Sequence, residues 1–147
     1  MIGHAAASTA ARYPHVDVIP PGDDEQLADR ISFVLGEASD FDIEHGYYAQ
    51  GVSLRTPAFA PADWPSRAIP VRVAEYTGWC MEPHDLVLSK LGAGREKDLE
   101  FARDVVLLEL IRRDELLARL ESVACTDEHR RQITARVDAL FPRQNSS

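Results

Sequence analysis

The sequence predicts an α+β fold in which a small mixed sheet with flanking helices is followed by a helical segment. Short β-prone runs bounded by proline and glycine lie in the first half, at residues 16–19 (VDVI) and 69–76 (IPVRVAEY). Beyond residue 94, apolar residues recur instead at the three- and four-residue spacing of helices. A length of 147 residues suits one domain with an adequate core.

We expect this single domain to have four parts. Residues 1–15 form a loose lead that is rich in small residues and poorly amphipathic. Residues 16–94 contain the sheet, and residues 95–141 are helical. Residues 142–147 form a disordered polar tail.

A strand, a turn and a helix are predicted near the start of the chain. The strand 16–19 runs into Pro20, Pro21 and Gly22, which stop it. Asp23 or Asp24 then caps a helix that Gly36 closes. One face of this helix carries Leu27, Ile31, Val34 and Leu35.

The middle of the chain alternates between strand and loop patterns. From Phe41 to Leu54 the pattern is β-like, and a proline-rich loop follows at residues 56–67. Residues 69–76 predict a half-buried strand, because apolar residues alternate with Arg72 and Ala74. Trp64 and Trp79 lie in contexts typical of loops. Pro83 then begins a helix that carries Leu86, Leu88 and Leu91.

Three more helices are predicted after Gly94. The first, from Glu96 to Arg112, is apolar on most sides and is expected to be central. Asp114 caps the second helix, which extends to Val123. Thr126 begins the third.

Composition excludes several classes of function. A formal net charge of -8 argues against a broad grip on duplex nucleic acid, which relies on many Lys and Arg contacts to phosphates. The two cysteines, Cys80 and Cys125, lack the spacing of a zinc site or a disulfide framework. We therefore predict a reducing, cytoplasmic location. No stretch approaches the length of a membrane span.

The segment 85–98 (DLVLSKLGAGREKD) concentrates charges around a break at Gly92–Gly94. Lys90 shares a helix face with Leu86, so it either extends outward along its stem or is held inward for a ligand. Arg95 and Lys97 are unfavourable at a helix start unless an anion or a carboxylate neutralises them. Asp98 is favourable there through the helix dipole alone. The pattern predicts a phosphate site, with a solvated helix corner as the alternative.

Two further residues are candidates for chemistry in the first half. Asp17 lies on a short strand just before a turn and a helix, where an α/β element would place a magnesium carboxylate. A residue that merely flanks a turn is the alternative. Tyr48 is a candidate for stacking on a base, with His45 and Tyr47 nearby. The tyrosines face opposite sides of a strand, so one of them belongs to the core.

Three stretches of the sequence are distinctive together: VDVIP, GYYAQGV (46–52) and GWCMEPHDLVLSKLGAGREKDLEFAR (78–103). They resemble a bacterial nucleotidyltransferase-like family, related to the AbiEii-type nucleotidyltransferase toxins of abortive infection. The resemblance spans residues 16–103 and implies magnesium-dependent transfer of a nucleotidyl group from a nucleoside triphosphate to RNA or protein. It also implies a cognate antitoxin or a homo-oligomer as partner.

The resemblance assigns roles to named residues. Asp17 is implied as the metal carboxylate and Lys90 as a phosphate contact, while Arg95, Lys97 and Asp98 are implied as pocket residues. Asp98 would orient Lys90 or the acceptor. We expect Asp17 to approach the cationic turn. The chain departs from the family at His15, where an acid is expected, and no Gly-Ser turn precedes it. A non-catalytic nucleotide- or partner-binding module is therefore an alternative.

Overall fold

Two separate pairs of strands and six α-helices make up residues 13–142, which a computed structural model describes. The predicted α+β class is confirmed. Most of the lead and tail expected at residues 1–15 and 142–147 lies outside the described residues. The elements are β1 (His15–Val18), α1 (Glu25–Leu35), α2 (Asp40–His45), β2 (Tyr48–Gly51), β3 (Ile69–Val73), β4 (Tyr76–Cys80), α3 (Pro83–Ala93), α4 (Glu96–Leu107), α5 (Arg113–Leu120) and α6 (Asp127–Leu140).

The chain divides after Thr56 into two compact units, and the first unit holds the parallel strand pair. In this pair His15 of β1 lies opposite Tyr48 of β2. Helix α1 packs on β2 so closely that a Cβ on Gly51 would lie 2.0 Å from a backbone oxygen of the helix. The Ser32 hydroxyl accepts a hydrogen bond from the Gly51 N–H at 3.0 Å. Glycine at this position is therefore required by close packing.

Helix α1 begins as predicted, but its buried face is different. The Asp24 carboxylate accepts a hydrogen bond from the Leu27 N–H at 3.0 Å, which confirms this residue as the cap. Leu27 and Val34 of the predicted apolar face are exposed, whereas Ala28 is buried. A small residue is buried because the helix contacts the backbone of β2 directly.

The β-like pattern predicted from Phe41 to Leu54 is wrong over its first part. Residues Asp40–His45 form helix α2, and only Tyr48–Gly51 form a strand. The Ser39 hydroxyl accepts from the Asp42 N–H at 3.2 Å, and Gly46 ends the helix in the left-handed region at φ 73°. Local capping at both ends therefore outweighs the β propensity of the segment.

The prediction of one half-buried strand at residues 69–76 is also wrong. The chain forms an antiparallel hairpin of β3 and β4, with Ala74 at φ 54° in the turn. Both strands are exposed along their whole length. Trp79, expected in a loop, lies in β4 and is exposed. A turn without glycine or asparagine hid the hairpin from the sequence pattern.

The second unit has a helical core with α3 at its centre. Helix α3 packs against α4, α5 and α6, so it is central where α4 was expected to be. Gly92 lies inside α3 and does not break it: a Cβ there would meet the ring of Phe59. No helix of the described residues is both long and apolar enough to cross a membrane. The buried core residues are Val87, Leu88, Leu91, Ala102, Val105, Ile111, Leu116, Leu120, Val123, Ile133 and Val137.

The helix predicted from Glu96 to Arg112 ends at Leu107. Glu109 adopts the left-handed region at φ 56°, and the Leu110 N–H donates to the Val105 carbonyl oxygen at 3.3 Å. This is a Schellman ending with glutamate in the position that glycine usually takes. No pattern in the sequence marks such an ending.

The boundaries predicted for the next helix are likewise wrong, whereas the last helix begins as predicted. Arg112, not Asp114, is the N-cap of α5, and Val123 is buried beyond the end of that helix. Thr126 caps α6 by accepting from the His129 N–H at 3.2 Å, which confirms the prediction.

Candidate functional site

The cationic turn, residues 90–98, joins α3 to α4 within the second unit. Gly94 ends α3 in the left-handed region at φ 67°, and its N–H donates to the Lys90 carbonyl oxygen at 2.9 Å. Arg95 follows directly as the N-cap of α4. Because the chain reverses at Gly94, the turn brings together three of the predicted site residues, Lys90, Arg95 and Asp98.

Asp98 is the centre of this group. Its side chain is 2% exposed, and its carboxylate accepts from the Arg95 Nε at 2.7 Å and from the Arg95 backbone N–H at 3.2 Å. Lys90 Nζ lies 3.7 Å from its second oxygen. Burial raises the pKa of the Asp98 carboxyl, but the hydrogen bonds and positive charge of Arg95 outweigh it, so that the pKa is lowered overall. Asp98 is thus a buried anion.

These contacts account for part of the charge mismatch at the start of α4. Arg95 is neutralised by a carboxylate of its own helix, one of the two means that the sequence suggested. Its side chain is nevertheless 59% exposed, and Lys97 is exposed as well. Lys90 is 24% exposed. The turn therefore pairs two cations with one buried carboxylate, and Lys97 is a third, exposed cation of the same segment.

Arg136 of α6 contacts the cationic turn at the end of α3. Its Nη1 donates to the Leu91 carbonyl oxygen at 2.5 Å, which satisfies one of the free carbonyls at the end of α3. Its guanidinium also lies over Gly94, where a Cβ would be 2.3 Å from Nη1. Sequence reasoning missed this residue, because its partner is 45 positions away.

Asp17 and Tyr48 both belong to the strand pair of the first unit. Asp17 is exposed on β1, opposite Gln50. Tyr48 is half-buried, and its ring stacks on that of His15 with centroids 5.5 Å apart. Burial and the negative charges of Glu37, Asp42 and Asp17 raise the pKa of the Tyr48 hydroxyl. Tyr48 is therefore a neutral hydrogen-bonding group near physiological pH.

The structure assigns the predicted site residues to different units. Asp17 and Tyr48 lie in the first unit, whereas Lys90, Arg95, Lys97 and Asp98 lie in the second. The expected approach of Asp17 to the cationic turn stays a prediction. Among residues 13–142, no three His, Cys, Asp or Glu side chains are grouped to hold a metal ion.

A second charged cluster in the second unit was not predicted. Asp85 of α3 is fully buried and accepts two hydrogen bonds from Arg67, at 2.9 and 3.0 Å. Arg67 also binds Asp63, at 2.7 Å. Arg119 of α5 lies 3.2 Å from Asp85 Oδ1, which also accepts from Arg67, and Arg119 bonds Glu82. The cluster joins the 57–68 loop to α3 and α5.

His84 extends this cluster to the start of α5. The Arg112 N–H donates to His84 Nε2 at 2.9 Å, so Nδ1 carries the ring proton and donates to Glu82 at 2.7 Å. Burial raises the pKa of Glu82, but the bond from His84 and the charge of Arg119 outweigh it and lower the pKa overall. One feature of the sequence could have indicated this cluster: Asp85 lies on the same apolar helix face as Leu88, where a carboxylate needs a partner. The sequence does not indicate which distant residues those partners are.

Comparison with known proteins places most of the chain in a protein family. Residues 15–140 match the model of a family described as a nucleotidyltransferase of unknown function (DUF6036). No curated protein and no solved structure matches the chain.

Proposed function

The chain belongs to this family of nucleotidyltransferases of unknown function, and on that premise we propose that it transfers a nucleotidyl group from a nucleoside triphosphate to RNA or to a protein. The observation that carries the proposal is the cationic turn. Lys90 and Arg95 pair with one buried carboxylate there, and the exposed Lys97 lies next to it in sequence, in a chain whose net charge is -8. Local positive charge against such a background suits an anionic ligand.

The cationic turn supplies the phosphate contacts. Arg95 can present its exposed guanidinium edge to phosphate oxygens, and Lys90 acts as a point charge. Asp98 holds both cations, so it orients Lys90 without contacting the phosphates itself. Phosphoryl-group chemistry depends on such positioning and charge neutralisation. Lys97 adds a further exposed charge.

Asp17 supplies the metal carboxylate in this proposal. Magnesium takes one or two protein carboxylates and completes its shell with water and substrate phosphates. Asp17 is exposed, and Gln50 lies opposite it with an amide oxygen as a second donor of the same kind. These residues fit a magnesium ion that is held largely by the triphosphate. The bound metal would neutralise the phosphates, and Tyr48 would contact the nucleoside.

The proposed partner and acceptor follow from the sequence resemblance. A relation to AbiEii-type toxins makes a cognate antitoxin or a second copy of the chain the expected partner. The same relation makes an RNA end or a protein hydroxyl the expected acceptor.

A non-catalytic nucleotide- or partner-binding module is the second candidate. The observation in its favour is the donor set at β1, where His15 occupies the place of an acid and Asp17 is the one carboxylate of the strand. A single carboxylate holds magnesium weakly. The cationic turn would keep its affinity for phosphates in either case.

Thermal unfolding with each of the nucleoside triphosphates, with and without magnesium, separates the two candidates. We expect a magnesium-dependent rise in Tm that Asp17→Ala abolishes. A rise that is indifferent to magnesium supports the non-catalytic module. The absence of a rise with every triphosphate contradicts both candidates.

A further inference from the structure

The sheet of the first unit has one face against α1 and an opposite face that carries aromatic and polar side chains. Gly51 faces α1, as its close approach to the helix backbone shows. Successive residues of a strand point to opposite faces, so Tyr48 and Gln50 lie on the face away from α1. The parallel register places His15 beside Tyr48 and Asp17 beside Gln50.

Two aromatic rings are stacked on this face. The planes of His15 and Tyr48 are inclined by 18°, with centroids 5.5 Å apart, so the rings stand side by side across the two strands. In the part of the chain that the structure describes, this sheet has only these two strands. Each ring therefore has its stacking partner on one side within the sheet. Both rings are half-buried, so part of each is exposed to a further planar ring.

We propose that this ring pair is the platform on which the base of a nucleotide stacks. Bases stack on tyrosine and histidine in nucleic-acid-binding proteins, whatever their sequence, because every base has a π-face. His15 is thus a ligand-binding residue in its own right and not only the replacement of an acid. The inference rests on the proposed function, since it concerns the same nucleotide, and adds the residues that hold its base.

The pair Asp17 and Gln50 lies where the ribose and phosphate of a nucleotide stacked on the ring pair would lie. It is two residues farther along the strands, roughly 6.6 Å from the ring pair. One ribose separates a base from its first phosphate by a comparable length. The Gln50 amide N–H can donate to a ribose hydroxyl, and Asp17 lies toward the phosphate end, where it would hold the magnesium ion of the proposed function. The face thus matches a nucleoside monophosphate in both order and chemistry.

Isothermal titration calorimetry with adenosine 5′-monophosphate and with ribose 5-phosphate tests the inference. We expect the intact chain to bind the monophosphate more tightly, because ribose 5-phosphate has no base. His15→Ala and Tyr48→Leu should each weaken binding of the monophosphate roughly 5- to 100-fold and leave ribose 5-phosphate unaffected. His15→Phe keeps a ring and should retain binding.

The neighbouring tyrosine is a matched control. Tyr47 packs on Phe41 of α2, with centroids 5.2 Å apart, and lies outside β2. Tyr47→Leu should leave the affinity for the monophosphate unchanged. Far-ultraviolet circular dichroism checks that each variant is folded.

Two results would overturn the inference: equal affinity of the intact chain for both ligands, or a monophosphate affinity that neither His15→Ala nor Tyr48→Leu changes. If triphosphates still bind through Lys90 in that event, the proposed function survives alone. If the ring variants act as expected but triphosphate binding is insensitive to both magnesium and Lys90→Ala, the base platform survives and the proposed function fails.

Discussion

At the scale of one residue, Asp85 is a charged side chain whose burial makes its ion pairs structural. It is completely buried, yet Arg67 donates to both of its oxygens and Arg119 pairs with one of them. A buried carboxylate without partners would be driven to its neutral form. Two guanidinium groups instead satisfy its oxygens, and it ties a loop and a helix to α3.

Removing this carboxylate should destabilise the second unit. We expect Asp85→Ala to lower the free energy of unfolding by about 3 kcal/mol, at the low end for a broken buried ion pair, because Arg67 keeps Asp63 and Arg119 keeps Glu82. Asp63→Ala removes a mostly exposed partner of the same arginine and should barely move the urea midpoint. Equal losses in the two variants would contradict the assignment of Asp85 as the anchor.

Lys90 is expected to behave in the opposite way. Lys90→Ala should leave the urea midpoint nearly unchanged, because Asp98 keeps its hydrogen bonds from Arg95. The affinity of the Lys90→Ala chain for a triphosphate should fall about tenfold or more, since a charge-assisted contact is lost. Calorimetric titration compares Lys90→Ala with the control Arg131→Ala, which removes an exposed cation that pairs with Glu128. A Lys90→Ala chain that unfolds would show that the lysine is structural.

At the scale of elements, caps decided which boundaries the sequence could predict. Asp24 and Thr126 are oxygen-bearing caps, and both helices begin where they were expected to begin. The end of α4 depends on Glu109 in a conformation that favours glycine, and the start of α5 depends on a bond from Arg112 to the distant His84. Long-range contacts of this kind leave no periodic pattern in a single sequence.

A side chain at Gly94 should destabilise the chain reversal. Gly94→Ala would place a Cβ at φ 67° and 2.3 Å from the Arg136 guanidinium, so we expect a loss of about 1–3 kcal/mol in the free energy of unfolding. Gly78 of β4 is the control, because a Cβ there meets nothing within 4 Å. Thermal unfolding of both variants checks the difference. A Gly94→Ala chain as stable as Gly78→Ala would contradict the account of the turn.

At the scale of the whole molecule, the site was predicted by residue type but not by its internal contacts. Lys90, Arg95 and Asp98 were chosen for charges that packing does not require, and the turn does bring them together. The sequence did not predict that Asp98 binds Arg95 or that Arg136 contacts α3, because both contacts depend on the fold. A sequence shows which groups are present, whereas burial and distance decide which of them remain available to a ligand.

Stability should depend on pH through two ion-paired carboxylates, Glu82 and Asp98. The pKa values of Glu82 and Asp98 are lowered below the ordinary 4.5 and 3.8, so the folded chain binds fewer protons there than the unfolded chain. Their stabilisation is fully present above those values and is lost as the pH falls through the lowered pKa values. We expect the urea midpoint to fall on acidification below 4.5. A midpoint that rises or stays level on acidification would contradict the ion-pair assignments.

The most direct measurement of the central claim is the transfer of label from α-labelled nucleoside triphosphates to RNA or protein. The account predicts that the chain, with magnesium, incorporates label into one of these acceptors. It further predicts that Asp17→Asn and Lys90→Ala each reduce incorporation by at least tenfold, or about 1.4 kcal/mol in the barrier. Unchanged incorporation by both variants would contradict the claim, as would a chain that binds triphosphates with magnesium yet transfers no label.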